Sequence, residues 1–350
     1  MAVEVAGQHA RPSRAVRRRL ARVTFVPGWA TLAFVVLVSV AGVSLPIAVR
    51  YGVLLVTLVV LGLPHGAADH HSLARALDRT LSARFLVVFC AGYLALAAAY
   101  TVVWFLAPVV AFLAFIGLTW FHWGQGELYV LRSIPDDPHL TSRTARVLTV
   151  VVRGGLPMLV PLLFFPDRYA AVARTVVALF APGGTAWLAP LFAGPVRASL
   201  GVGFAGVTAA ALAVGARGAG SRRAWAVDTG ETALLWLFFA VVPPVLAIGV
   251  YFAVWHSLRH VVRLVALDDI AVAALDRGAV WQAVGRFVRD ALPGTIGALA
   301  LFGGLALAVP ATPGDVADIA GVYLVLLAVL TLPHVVVVTV LDRRQGVWSG

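Results

Sequence analysis

The sequence predicts an all-α fold, a polytopic bundle of transmembrane helices. Hydrophobic residues make up 61% of the 350-residue chain and charged ones 12%, with a mean hydropathy of +0.93, far from the composition of a soluble globular domain. Apolar runs of membrane length recur from end to end with short polar stretches between them. Arginines crowd into every second polar stretch, the asymmetry that orients membrane helices.

The apolar runs lie at about 29–48, 51–65, 84–105, 107–123, 147–165, 197–214, 229–242, 245–264, 291–309 and 316–340. A chain of this length holds roughly eight to ten spans of about 20 residues and leaves no room for a separate soluble domain. The organisation is a basic cytoplasmic tail over 1–28, one integral membrane domain over 29–340 and a short C-terminal tail over 341–350. ARPSRAVRRRLARVTFVPGWATLAF has the basic start of a signal peptide. Its apolar part is too long and no small-residue cleavage site follows, so it reads as a retained first span.

ETALLWLFFAVVPPVLAIGVYFAVWHSLRH reads either as one long kinked helix or as two spans turning at Pro243–Pro244. Loop charge arbitrates. With a turn there, 22 of the 27 arginines fall in cytoplasmic stretches, against Arg50, Arg168, Arg174 and Arg197 on the other side, with Arg153 near the cytoplasmic end of a span. One kinked span would put the 259–290 stretch, with its five arginines, outside. The expectation is therefore about ten spans in the cell membrane with both termini cytoplasmic, and eight or nine as the alternatives. Residues 168–182 read as a loop or as a surface or re-entrant helix.

All 27 basic residues are arginine, and the sequence pI near 11.0 reflects loop charge rather than a nucleic-acid partner. The single cysteine, Cys90, lies in an apolar run and reads as a small buried hydrophobe, which excludes a disulfide framework and a cysteine metal site.

Nine histidines are present, and seven of them cluster in short motifs at the predicted cytoplasmic ends of four spans. These are PHGAADHH (His65, His70, His71), TWFHWGQGE (His122), WHSLRH (His256, His260) and TLPH (His334). His9 in the basic tail and His139 after Pro-Asp-Asp-Pro read as solvated. Ionisable residues at membrane depth are costly and usually functional. His256 and His260 stand four apart, which puts both imidazoles on one helix face, one turn apart, where they can grip a single metal. With His65 and His122 they supply four neutral nitrogen ligands. By ligand type iron, copper and zinc all suit, and open positions on six-coordinate iron would admit dioxygen.

Gly66, Gly124 and Gly126 allow close backbone approach beside these histidines. Trp120, Phe121, Trp123, Phe252 and Trp255 read as a slot for a flat apolar substrate, or as an ordinary interfacial belt. Asp69 reads as a carboxylate that orients a ligand imidazole, or as a partner for Arg75. Glu127 and Glu231 read as solvated or interfacial. The spans contain no Ser/His/Asp or paired-carboxylate arrangement.

PHGAADH, FHWG and WHSLRH, in that order in a multispan chain, resemble the Brp/Blh family of beta-carotene 15,15'-dioxygenases, over about residues 50–340. The resemblance implies cleavage of the central double bond of beta-carotene by dioxygen at non-haem Fe(II), giving two all-trans-retinal. Beta-carotene and O2 are then the substrates, the lipid bilayer the surroundings, and a rhodopsin the receiver of retinal as chromophore. It implies His65, His122, His256 and His260 as catalytic iron ligands. His334 fits the family's C-terminal pattern and joins Asp69 and His70 in a supporting shell. His71 departs from the motif by extending it to DHH, and the basic tail lies outside the match. Two other classes are weighed. A desaturase- or hydroxylase-like iron enzyme needs repeated HxxHH boxes with more histidines than the seven here. A non-enzymatic haem-binding or transport protein needs only facing histidines on two helices and leaves the other motifs unexplained.

Overall fold

A computed structural model describes residues 13–135, 139–218 and 222–349, so His9 and residues 136–138 of the Pro-Asp-Asp-Pro loop lie outside the described residues. No strand occurs among those described. The helices are α1 (Arg14–Val40), α2 (Ile47–Ala76), α3 (Ala83–Leu106), α4 (Pro108–Ser133), α5 (Arg143–Phe164), α6 (Pro166–Ala178), α7 (Gly194–Arg217), α8 (Arg222–Val241), α9 (Pro244–Ala266), α10 (Asp269–Asp276), α11 (Val280–Ala308) and α12 (Val316–Arg344). Among the described residues ten helices, all of these except α6 and α10, are long and apolar enough to cross a membrane.

The protein is thus a polytopic helical membrane bundle, as its composition predicts. Pro243 and Pro244 divide α8 from α9: the first caps α9 and the second occupies its first turn, where a missing N–H costs nothing. Helix α6 fills the 168–182 stretch that reads as loop or surface helix. The first helix starts at Arg14, well before residue 29, where the Ser13 hydroxyl accepts the Val16 amide hydrogen. Val16, Leu20, Thr24 and Gly28 recur every fourth residue and are buried. Val16 and Leu20 share an apolar cluster with Ala271, Leu275 and Ala283, so the arginines between them ride on one long helix.

Helices α9, α5 and α12 form the centre. Their most apolar windows are 72, 67 and 56% buried, against 11% for α3 at the periphery. Small residues let the central helices approach to backbone contact. A Cβ on Gly154 of α5 would lie 1.9 Å from the Trp120 carbonyl oxygen of α4, and one on Gly124 would lie 2.2 Å from the Val150 carbonyl oxygen of α5. Two π-helical turns interrupt the central spans, Leu58–Gly62 in α2 and Phe252–Ser257 in α9. They press together where Gly62 meets the Phe252 ring.

The α4–α5 crossing sets a test. Gly154→Ala should lower stability by about 3 kcal/mol or more, because both neighbours are backbone and neither can rotate away. Gly117→Ala on α4, where an added methyl meets nothing within 4 Å, should be neutral or stabilising by up to about 1 kcal/mol. Thermal unfolding in detergent checks both.

Candidate metal centre

Helix α2 delivers His65 immediately after its π turn. Pro64 cannot donate a helical hydrogen bond, and one residue later the His65 ring donates from Nδ1 to the Gly62 carbonyl. This bond fixes the tautomer and leaves Nε2 with its lone pair free. Helix α4 brings His122, the second π turn in α9 brings His256, the next turn brings His260, and α12 brings His334.

All five rings are buried and mutually close. The His65 ring centre lies 5.0 Å from that of His334, 5.4 Å from His256 and 5.5 Å from His260. His122 lies 4.7 Å from His256 and 4.6 Å from His334. One nitrogen each of His65, His122 and His334 fall within 4.8 Å of one another, and Asp69, His260 and His334 form a second such group. The Nε2 atoms of His122 and His256 are 3.0 Å apart, the separation of two ligands about 2.1 Å from one ion and at roughly a right angle to each other. His122 Nδ1, His260 Nε2 and His334 Nε2 are buried without a hydrogen-bond partner among the described residues. Unpartnered nitrogens at this depth are costly unless something accepts their lone pairs. Neutral imidazole donors in this number fit a divalent transition ion such as iron.

The structure brings together all four histidines expected as ligands and adds His334 to them. Asp69 Oδ2 stands 2.7 Å from His334 Nδ1, so its partner is an imidazole and not Arg75, which reaches Asp290 and Asp268 at 2.6 and 2.8 Å. His70 packs against His71 and Phe89, 4.4 and 6.0 Å between ring centres, and His71 Nε2 lies 3.9 Å from Asp290.

Beside the histidines, on α4, α5, α8 and α9, lies a buried charge network that inverts several sequence expectations. Glu127 and Glu231, read as solvated or interfacial, are 1% and 2% exposed. Arg259 spans them: Nη1 lies 3.0 Å from both carboxylate oxygens of Glu127, and Nη2 lies 2.5 Å from Glu231 Oε1. Arg153 binds Glu231 at 2.9 Å, Asp228 at 2.8 Å and Glu127 at 3.3 Å. His139, expected to be solvated, is 0% exposed and donates from Nε2 to Asp228 at 2.9 Å. A carboxylate in a helix bundle must find a cation, and α5 and α9 supply one each. Arg259, Arg263 and Arg146, which count as loop charge in the sequence, are buried inside the bundle.

The histidines open onto an apolar cavity of about 720 Å³. Its lining follows α12 from His334 back to Ala317, about 25 Å at 1.5 Å per residue. Of the five aromatics expected to form a slot, Trp123 and Phe252 line the cavity and pack on His256, 5.6 and 5.7 Å between ring centres. The other three face elsewhere. Trp255 is buried against the charge network, donating to Glu127 at 3.0 Å beneath Arg259. Trp120 donates to the Val151 carbonyl, and Phe121 is 39% exposed on the outer surface. Cys90, expected to be buried, is exposed on α3 and also lines the cavity. Sequence reasoning missed the network, although Arg259 within WHSLRH and Glu127 within one helix of FHWG are charges inside apolar spans, which is itself a signal.

Fold and site define a class: helical membrane proteins in which a buried polyhistidine centre floors an elongated apolar cavity. Within that class the chain belongs to the beta-carotene 15,15'-dioxygenase family, whose model matches residues 56–342. The chain is 49% identical over 331 residues to the probable beta-carotene 15,15'-dioxygenase Blh of Halobacterium salinarum, covering 95% of each chain. It is 31% identical over 322 residues to the probable beta-carotene 15,15'-dioxygenase Brp of the same species, covering 88% of each. No solved structure matches the chain.

Removing one member of the network leaves its partners charged and buried. Arg259→Ala should lower stability by about 3–5 kcal/mol, and Arg259→Lys, which keeps the charge but loses the fork, should recover only part of it. The shift in thermal unfolding measures both.

Proposed function

We propose that this protein is a non-haem iron enzyme that cleaves beta-carotene at its central 15,15' double bond with O2. The carbon–carbon double bond breaks, each half gains one carbonyl, and the two oxygen atoms of dioxygen balance two molecules of all-trans-retinal. The observation that carries the reading is the junction of five imidazoles with a long apolar cavity inside a membrane bundle. The family match and the names of its relatives supply the substrate.

His65, His122, His256 and His260 would hold ferrous iron, which when bound supplies the activation of dioxygen. The rest of the work is the chain's own. A polyene dissolved in the bilayer exchanges lipid for the cavity wall, so binding removes little apolar surface from water and selection falls to shape. Trp123 and Phe252 flank His256 at the cavity floor and hold a conjugated chain flat beside the imidazoles. The apolar lining excludes water from the reacting bond. Neither acid–base chemistry nor a protein nucleophile is required. In the cell membrane, with both termini and the histidine end cytoplasmic, the retinal produced would leave through lipid, where a rhodopsin can take it up.

Expression in a bacterium that accumulates beta-carotene tests this directly. Orange colour should fade as retinal appears, read by chromatography of extracted pigments. His65→Ala, His122→Ala, His256→Ala and His260→Ala should each abolish cleavage. Chelation of the purified protein should remove activity and ferrous iron should restore it. Unchanged carotene with folded, iron-loaded protein would overturn the reading.

The cavity gives a separate test. Gly297 lines it, and an added Cβ there meets no atom within 4 Å. Gly297→Phe should fill the space, cutting retinal formation at least tenfold while leaving the unfolding temperature and bound iron unchanged.

A further inference from the structure

We infer that His334 is a direct ligand of the metal centre and that Asp69 is the positioning residue that holds it there. This rests on the metal-centre reading above and extends its ligand set from three spans to four.

Three observations carry the inference. First, His334 is the member common to both close groupings of ligand atoms, His65–His122–His334 and Asp69–His260–His334. Among the described residues, no three side chains bring ligand atoms within 4.8 Å of one another without it. His334 of α12 thus joins ligand atoms of α2 and α4 in one grouping and of α2 and α9 in the other. Second, the two ring nitrogens of His334 have different surroundings. Nδ1 donates to Asp69 Oδ2 at 2.7 Å, and Nε2 is buried with no hydrogen-bond partner among the described residues. A carboxylate on one nitrogen fixes the tautomer, so the free lone pair is on Nε2. A supporting histidine would be expected to spend that second nitrogen on a protein donor. Third, the ring stands in the middle of the cluster, with centres 4.6 Å from His122, 5.0 Å from His65 and 5.2 Å from His260.

The PHGAADH motif acquires a physical explanation. His65 is a ligand, Asp69 one turn later reaches across to α12, and Gly66 lies beneath the His334 ring, where a Cβ would come within 3.3 Å of Nδ1. One short segment thus supplies a ligand, the carboxylate that orients a second ligand, and the space in which that second ring sits. Asp69 also brings a negative charge near an all-imidazole site that otherwise leaves the charge of a divalent ion uncompensated.

Cobalt(II) is the probe, because its absorption bands report the number and geometry of ligands without turnover. Wild type, His334→Ala, His334→Gln, Asp69→Asn and His122→Ala are purified in detergent, checked for a single species by size exclusion, and titrated with cobalt(II). His334→Ala and His334→Gln should shift the bands and weaken binding at least tenfold, and added imidazole should restore the wild-type bands in His334→Ala. Asp69→Asn should keep the band positions and weaken binding about 10–100-fold. Wild-type bands and affinity in the His334 variants overturn the inference, as do wild-type affinity in Asp69→Asn or an absence of imidazole rescue. Should the His334 variants not fold, Asp69→Asn decides. If the wild type takes up no cobalt, the metal-centre reading itself fails. If His122→Ala loses cobalt and His334→Ala retains it, only the present inference fails.

Discussion

The fork of Arg259 between Glu127 and Glu231 is the contact on which the rest of the site depends. It joins three spans, α4, α8 and α9, and Arg153 of α5 closes the network from the fourth side. Arg259 stands between His256 and His260 in the chain, and Glu127 follows His122 on α4, so the network shares two helices with the imidazoles and adjoins them. Charges at this depth tolerate little displacement, because any loss of pairing exposes a full desolvation penalty. A second lock repeats the device: Arg263 of α9 binds Asp342 of α12 at 2.7 Å, tying the His260 helix to the His334 helix. Together they fix the axial register of three histidine-bearing spans, a constraint that apolar packing alone applies weakly in lipid.

How much of this the sequence discloses depends on what kind of information each feature needs. Span number follows from composition, and the arginine asymmetry resolves the ambiguity at Pro243–Pro244 because a double proline in a span must either kink or end it. The four histidine motifs are legible because each is a polar intrusion into an apolar run. Direction around the helix axis is another matter. Trp120, Phe121 and Trp123 are neighbours in sequence, yet one packs on α5, one faces outward and one lines the cavity, since successive helical residues point about 100° apart. Glu127 and His139 read as solvated because their partners, Arg259 and Asp228, are more than 80 residues away in the chain. The start of α1 hides in the same way: Arg17, Arg18 and Arg19 mask a buried spacing of four that only its neighbours reveal.

The cavity and the imidazole cluster have opposite solvation requirements, and their junction is resolved by aromatic rings. Metal-binding nitrogens need polar order, and a hydrocarbon site needs its absence. Trp123 and Phe252 serve both, lining the cavity while they stack on each other and pack on His256. The tryptophan one residue earlier than His256, Trp255, belongs to the polar side, giving its N–H to Glu127 and its ring to Arg259. Two residues three apart in one π turn, Phe252 and Trp255, thus face a hydrocarbon layer and a charged layer.

The π turns explain how an unbroken span can make that switch. Each holds about one residue more than an α-helical turn, so everything after it is rotated by roughly 100° relative to a regular helix. Helix α2 packs Leu54 into the core before its π turn and Leu58 as that turn begins, and presents His65 to the cluster after it. Helix α9 packs Leu246 and Val250 before its own π turn, and presents His256 and His260 across and after it. With regular α-helical geometry, the phase that buries the leucines would carry His65 and His260 off the cluster by about a quarter turn. The two π turns are in contact through Gly62 and Phe252, so neither can relax without displacing the other. The π-helical backbone is therefore held by apolar packing on one side and by the Arg259 fork on the other, and convergence of the histidines is what that arrangement maintains.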